Sequence, residues 1–243
     1  VIWFDDLYTV LEKRPYRLDS PSITGLSCRD DISRYIARCI AARATRINLF
    51  TNHIRTVAEW IVAFEFEGRS VSLPVAAVGD GDWLRIYHSM MPIIGKHRNR
   101  PALLDADYHA PLNGTFYKYF RDLDLGNVDA LVDTFNENGY FRAAASNSPK
   151  YRGKDALRSM YGKMLAQGGS PLELATATIA RGHGAFEYNF LPWCREDICP
   201  QAGLMLITEG QRSIASIHAY NDVPLSPYHN FDGTISKVNR ALC

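Results

Sequence analysis

The chain has 243 residues, 47% hydrophobic and 22% charged, enough apolar material for a buried core and unlike the composition of a disordered segment. Its 27 Lys and Arg against 26 Asp and Glu leave a net charge of +1, and the basic residues are dispersed outside Lys96–Arg100, so the basic stripe of a nucleic-acid binder is missing. No apolar run approaches the roughly 18 residues of a membrane span and no signal peptide is visible, so a cytoplasmic protein with no membrane partner is expected.

In chain order, the first half reads as a strand near residues 7–11, a helix over 29–42, and strands near 46–55, 58–67, 70–78 and 82–88. Gly95, Pro101 and Pro111 mark residues 93–113 as a linker. Phe116, Tyr119, Phe120 and Leu123, then Val128, Leu131, Val132 and Phe135, stand at helical spacing around a break at 124–127 and predict two consecutive helices. A strand over 139–144 and a helix over 154–166 follow, the helix stopped by Gly168 and Gly169. Strands near 171–180, 184–191, 202–209 and 213–223 complete the pattern, with turns at 181–183 and 209–211. Helix, helix, strand, helix and four strands make an α+β arrangement, with helices on one face of a curved sheet.

The two halves echo each other. Ile61-Val62-Ala63-Phe64-Glu65-Phe66 answers Gly184-Ala185-Phe186-Glu187-Tyr188-Asn189, and Arg85–Ser89 answers Ile217–Asp222. This predicts two copies of one small domain: a first repeat over 1–92 that lacks the opening helix pair, a second over 114–225, and a tail over 226–243. The five cysteines form no CxxC pair, and Cys194, Cys199 and His183 match no ligand spacing, so neither a disulfide framework nor a zinc site is expected. Asn113-Gly114-Thr115 fits the glycosylation sequon, a pattern that often arises by chance.

Tyr119-Phe120-Arg121, then Gly126–Phe135, Tyr151–Leu157, Ala185–Tyr188 and Tyr220-Asn221-Asp222 form an ordered set that resembles the SnoaL-like, ketosteroid-isomerase-like branch of the nuclear transport factor 2 superfamily. Residues 1–92 resemble it more weakly, most of all at Ala63–Arg69. The resemblance implies cone-shaped domains, each a curved mixed or antiparallel sheet wrapped around helices and an apolar pocket. It also implies one of several activities, among them isomerases, polyketide cyclases, epoxide hydrolases and non-catalytic binding domains. By this resemblance the two pocket tyrosines of the steroid isomerases fall on Tyr119 and Tyr161. Their catalytic base falls on Ala143 and their second acid near Leu204, so that pair is missing from the second copy. In the first copy the base falls near Leu11 or Glu12 and the second acid near Ala76.

Glu65 and Glu187 are carboxylates in apolar strands, where burial is costly without a partner or a chemical role. Strict alternation sets Phe64 and Phe66 on one face with Glu65 on the other, and likewise opposes Phe186 and Tyr188 to Glu187. The aromatic faces are expected to bind substrate, and the glutamates to sit on the outer faces, at an interface between the repeats. His88 shares a face with Leu84 and Ile86 and can exchange a proton near neutral pH; with Glu12 it would make a base and its orienter, or else it is a hydrogen-bonded structural histidine. Asn221, and Asp222 at the strand end, are further substrate-facing candidates, and Tyr119, Tyr161 and Tyr188 offer hydroxyl donors. No phosphate loop, metal-binding His pair or nucleophile elbow occurs. The expectation is a cofactor-independent acid/base enzyme (cyclase, isomerase, hydratase or epoxide hydrolase) acting on a small apolar carbonyl- or epoxide-bearing metabolite of secondary metabolism. Its catalytic residues would be His88, Glu12, Tyr119 and Tyr161, its repeats would pack together, and further homodimerisation is possible. The alternatives are a non-catalytic ligand-binding scaffold and a module whose outer sheets bind another protein.

Overall fold

Alternating apolar and polar residues with short polar breaks build hairpins in the first half of the chain. The structure is a computed structural model that describes residues 17–18, 45–66, 69–80, 83–88, 104, 112–143, 149, 151–166, 168–170, 172–190 and 201–221. The chain divides into two compact units, residues 1–101 with 221–243, and residues 102–220. Among the described residues both units carry sheets and the second also carries helices, an α+β protein.

In the first unit, β2 (Thr45–Thr51), β3 (Arg55–Phe66), β4 (Arg69–Asp80) and β5 (Trp83–His88) pair antiparallel in succession. β1 (Arg17–Leu18) lies parallel to β5, so the sheet order is β1-β5-β4-β3-β2. β2 and β3 meet at a tight turn where His53 takes φ 74°, and the Asn52 carboxamide oxygen accepts from the N–H groups of Ile54 and Arg55 at 3.2 and 2.9 Å. The strand expected over 7–11 and the helix expected over 29–42 lie outside the described residues.

The second unit opens with α1 (Gly114–Asp124) and α2 (Val128–Asp133), which bury Phe116, Tyr119, Leu123, Leu131 and Val132. The break between them falls at the predicted place, with Gly126 at φ 69° and the Asn127 side chain accepting from the Ala130 N–H as the N-cap of α2. β6 (Phe135–Arg142), the short β7 (Tyr151–Arg152) and α3 (Lys154–Met164) follow, then β8 (Leu172–Ala180), β9 (His183–Phe190), β10 (Gln201–Gly210) and β11 (Ser213–Asn221). The sheet order is β7-β6-β11-β10-β9-β8, with β6 parallel to β11.

β6 begins four residues before the expected strand. Phe135 pairs with Ile214 and Tyr140 with Ser216, so the polar Asn136-Glu137-Asn138 and Gly139 bulge against Ala215 alone. Phe135, expected on the second helix, instead opens β6: α2 ends at Asp133, and the buried ring serves the same interior from the strand.

Leaving aside β7 at the edge of the second, the two sheets share one order: a strand parallel to the closing strand, which continues into three further strands. Their registers also match, at a different place from the one the sequence echo suggests. Glu59 stands between Asn48 and Ala76 just after a bulge in β2, and Glu187 stands between Thr176 and Leu204 just after a bulge in β8. The counterpart of Glu187 in the register is therefore Glu59, not Glu65, which pairs with Ser70. The echo slid along the strand because Ala63-Phe64-Glu65 and Val57-Ala58-Glu59 share the same period-two pattern.

Candidate functional site

The interior of the second unit is built by the helical stripe of α1 and α2, by α3, and by one face of the sheet. Its buried members include Phe116, Tyr119, Phe135, Phe141, Tyr161, Phe186, Tyr188 and Met205. Helical spacing brings Tyr119 inward from α1, and Leu157 and Tyr161, one turn apart, inward from α3. Period-two alternation brings Phe186 and Tyr188 inward from β9 and Ile217 and Ala219 inward from β11, as the sequence pattern predicts. The rings meet edge to face: Phe120 and Phe186 at 4.8 Å between centroids, Phe116 and Phe186 at 5.2 Å, Phe141 and Tyr161 at 6.0 Å.

At the centre the Tyr119 and Tyr161 hydroxyl oxygens lie 3.0 Å apart. The two side chains are 1% and 0% exposed, and Tyr188 is 2% exposed. Burial raises the Tyr119 phenol far above the ordinary tyrosine range, and its bond to Tyr161 only partly offsets this. Burial raises Tyr161 as well, reinforced by the charge Tyr119 would carry if ionised, and Tyr188 rises for the same two reasons. All three are neutral donors at physiological pH.

The two positions in this unit at which the sequence resemblance places an acid are apolar, Ala143 and Leu204. Ala143, just past the end of β6, packs against this interior. Leu204 faces away from it: it pairs with Glu187 on the opposite face, and the interior-facing neighbours on β10 are Gly203 and Met205. Two glycines make room for the aromatic layer. A Cβ on Gly184 would lie 2.5 Å from the Phe186 ring, and one on Gly203 would lie 2.6 Å from Cζ of Tyr188.

Glu187 lies on the sheet face away from the helices, fully buried, and accepts from the Thr176 hydroxyl at 2.5 Å. Its register counterpart Glu59 is also fully buried and accepts from the Asn48 amide at 2.7 Å. Sequence reading passed over Glu59, although Glu59-Trp60 carries the same acid-aromatic step as Glu187-Tyr188. On the same outer face His218 meets the Tyr140 hydroxyl at 3.0 Å through Nε2, and the Arg142 guanidinium lies 4.4 Å over the Tyr220 ring. Asn189 donates to the Leu104 carbonyl at 2.7 Å, accepts from the Leu104 N–H at 2.8 Å, and donates to Glu173 at 3.1 Å.

The four expected catalytic residues are not one group within a unit. Tyr119 and Tyr161 belong to the second unit, and His88 to the first, where it ends β5 opposite Val75. Glu12 and Asp222 lie outside the described residues, as do Cys194 and Cys199. Phe64, Glu65 and Phe66 are placed on β3, opposite Val71, Ser70 and Arg69, and Asn221 ends β11. Among the described residues no helix is long and apolar enough to cross a membrane.

No family profile matches the sequence, and no curated protein does. Solved structures do resemble it. An NTF-2 like protein of unknown function from Burkholderia xenovorans is 13% identical, over 47% of this chain and 85% of that one, with a TM-score of 0.38. A proposed polyketide cyclase from Sinorhizobium meliloti is 15% identical, over 44% and 94%, with a TM-score of 0.38. The epoxide hydrolase/cyclase-like enzyme SalBIII, of pyran ring formation in polyether salinomycin, is 16% identical, over 44% and 87%, also with a TM-score of 0.38. Others include a protein with a ketosteroid isomerase-like fold from Catenulispora acidiphila.

Proposed function

We propose that the second unit takes a small apolar metabolite bearing a carbonyl or epoxide oxygen into its aromatic interior and polarises that oxygen through the Tyr119–Tyr161 pair, without a cofactor. The observation that carries this reading is the hydroxyl pair itself. Two hydroxyls hold two protons, and their mutual bond uses one. The second proton is then available to a ligand oxygen, and the first bond polarises it into a better donor. A neutral donor aimed at an oxygen that gains charge, as in enolisation, cyclisation or epoxide opening, stabilises the transition state more than the ground state.

Because these hydroxyls are buried, a ligand reaches them only as surrounding side chains give way. Met160 and Met164, partly buried against the interior, are unbranched and adaptable enough to do so. The first unit is a separate case, in which His88 or Glu12 is the proposed proton acceptor. His88→Ala and Glu12→Gln variants with unchanged turnover would remove that assignment.

A second reading, a non-catalytic ligand-binding domain, is favoured by Ala143, Gly203 and Met205, which put no carboxylate at those interior-facing positions, and by the ion pair of the buried Asp122 on α1 with Arg121 at 2.7 Å, which engages that carboxylate. Incubation with cyclic enones and epoxides, followed by mass spectrometry and calorimetry, separates the two. Product formation that falls in Tyr119→Phe and Tyr161→Phe supports catalysis, and binding without turnover supports the scaffold. Neither binding nor turnover would overturn both.

A further inference from the structure

We propose that Gly203 is a positioning residue: its missing side chain lets the hydroxyl end of Tyr188 rest on β10, and this sets the size of ligand that the interior beside Tyr119 and Tyr161 admits. The inference rests on the reading of that interior as a ligand site.

Gly203 and Tyr188 are direct cross-strand partners on β10 and β9. A Cβ on Gly203 would lie 2.6 Å from Cζ, 2.7 Å from Cε2 and 2.8 Å from the hydroxyl oxygen of Tyr188, so the far end of the ring occupies the volume a side chain would fill. Ordinary van der Waals contact begins near 3.4 Å. Any larger residue at 203 must therefore lift the ring off the strand and into the interior. An aromatic ring laid over a glycine on the neighbouring strand also restores burial that the glycine forfeits, so the pair is stable as built.

The other interior-facing residues of β10, Met205 and Ile207, carry full side chains; of the three, the position opposite Tyr188 is the one left bare. Tyr188 is also close enough to Tyr119 that ionisation of one opposes ionisation of the other. A displaced Tyr188 would thus disturb the hydroxyl pair as well as narrow the space beside it. Gly184 does the same service for Phe186, but its ring end carries no hydroxyl. Gly203 alone of the two couples ring placement to the polar centre.

The test uses the full chain with 13C at tyrosine Cζ, signals being assigned from single Tyr→Phe variants. Gly203→Ala is expected to shift the Tyr188, Tyr119 and Tyr161 signals and leave that of Tyr117, exposed on α1, in place. Unmoved Tyr188 and Tyr119 signals would overturn the proposal. Calorimetry with cyclohex-2-enone, a bicyclic enone and a tetracyclic enone reads the size effect. Gly203→Ala is expected to weaken the tetracyclic ligand at least tenfold more than the monocyclic one, and an equal loss for all three overturns the specificity role.

If Gly203→Ala does not fold, Gly203→Ala combined with Tyr188→Leu is expected to fold because the clash is gone; failure of both would mean that the glycine serves the backbone, against the proposal. A wild type that binds none of the three enones refutes the ligand-site reading, while the tyrosine signals still decide whether Gly203 positions Tyr188.

Discussion

The hydroxyl oxygens of Tyr119 on α1 and Tyr161 on α3 meet at 3.0 Å inside a wall of aromatic rings, joining the two helices through a buried polar contact. Removing one hydroxyl leaves the other buried without its partner. Tyr119→Phe and Tyr161→Phe are each expected to cost about 1–3 kcal/mol, and the double variant no more than either alone, since it removes both polar groups together. Urea denaturation of the three variants measures this; additive losses would show that the hydroxyls are not coupled.

The same burial makes stability pH-dependent on the alkaline side. Tyr119, Tyr161 and Tyr188 hold their protons more tightly in the folded chain than in the unfolded one, where tyrosine ionises at about pH 10. Their contribution is complete below that pH and falls as pH rises beyond it, because the unfolded chain releases its protons first. Denaturation midpoints between pH 8 and about 11 are expected to drop in the wild type and to drop less in the Tyr119→Phe, Tyr161→Phe double variant.

The fully buried Glu187 accepts a hydrogen bond from the half-buried Thr176 hydroxyl. Thr176→Val is expected to lower stability by roughly 1–3 kcal/mol, because a buried acceptor loses a partner, and Asn48→Leu to do so comparably through Glu59. Thermal unfolding of both variants tests whether the two register-matched glutamates are equivalent; a loss confined to one would set them apart.

Gly169 has no room for any side chain. A Cβ there would fall 1.4 Å from the Asp124 carbonyl oxygen, where the loop after α3 crosses the end of α1 and Ser170 donates to the Leu123 carbonyl. Gly169→Ala is expected to cost about 4 kcal/mol or more, since backbone rather than a flexible side chain must move. Soluble yield and melting temperature read the outcome.

Asn189 holds Leu104 by both its backbone groups, as a neighbouring strand would. Asn189→Asp can still accept but cannot donate to the Leu104 carbonyl, and it sets a second carboxylate against Glu173. Limited proteolysis is expected to cut near residue 104 faster in this variant, by about tenfold if one to two kcal/mol of holding energy is lost. Unchanged cleavage would mean that the clasp does not restrain the segment.

Period-two and helical patterns made much of the second unit legible. They predicted the helix break at Asn127, the inward facing of Phe186 and Tyr188, and the outward facing of Glu187, because each follows from local geometry within one element. Register is different. The sequence echo between Glu65 and Glu187 preserved the alternation but chose the wrong phase along β3, since a shift by an even number of residues leaves every side chain on the same face. The strand order and the bulges before Glu59 and Glu187 are likenesses between the two sheets that only the registers disclose.

By itself the sequence determined which residues turn inward in the second unit, because periodicity is a property of single strands and helices. It also identified Tyr119 and Tyr161 as a pair, through the family resemblance. Only the tertiary structure decided that their hydroxyls bond, that Leu204 turns away and leaves Gly203 beneath Tyr188, and that Glu59 is the partner of Glu187 in the register. Those relations join residues far apart in the chain, and the strand registers and helix placements that create them are set by packing between elements rather than by any one segment.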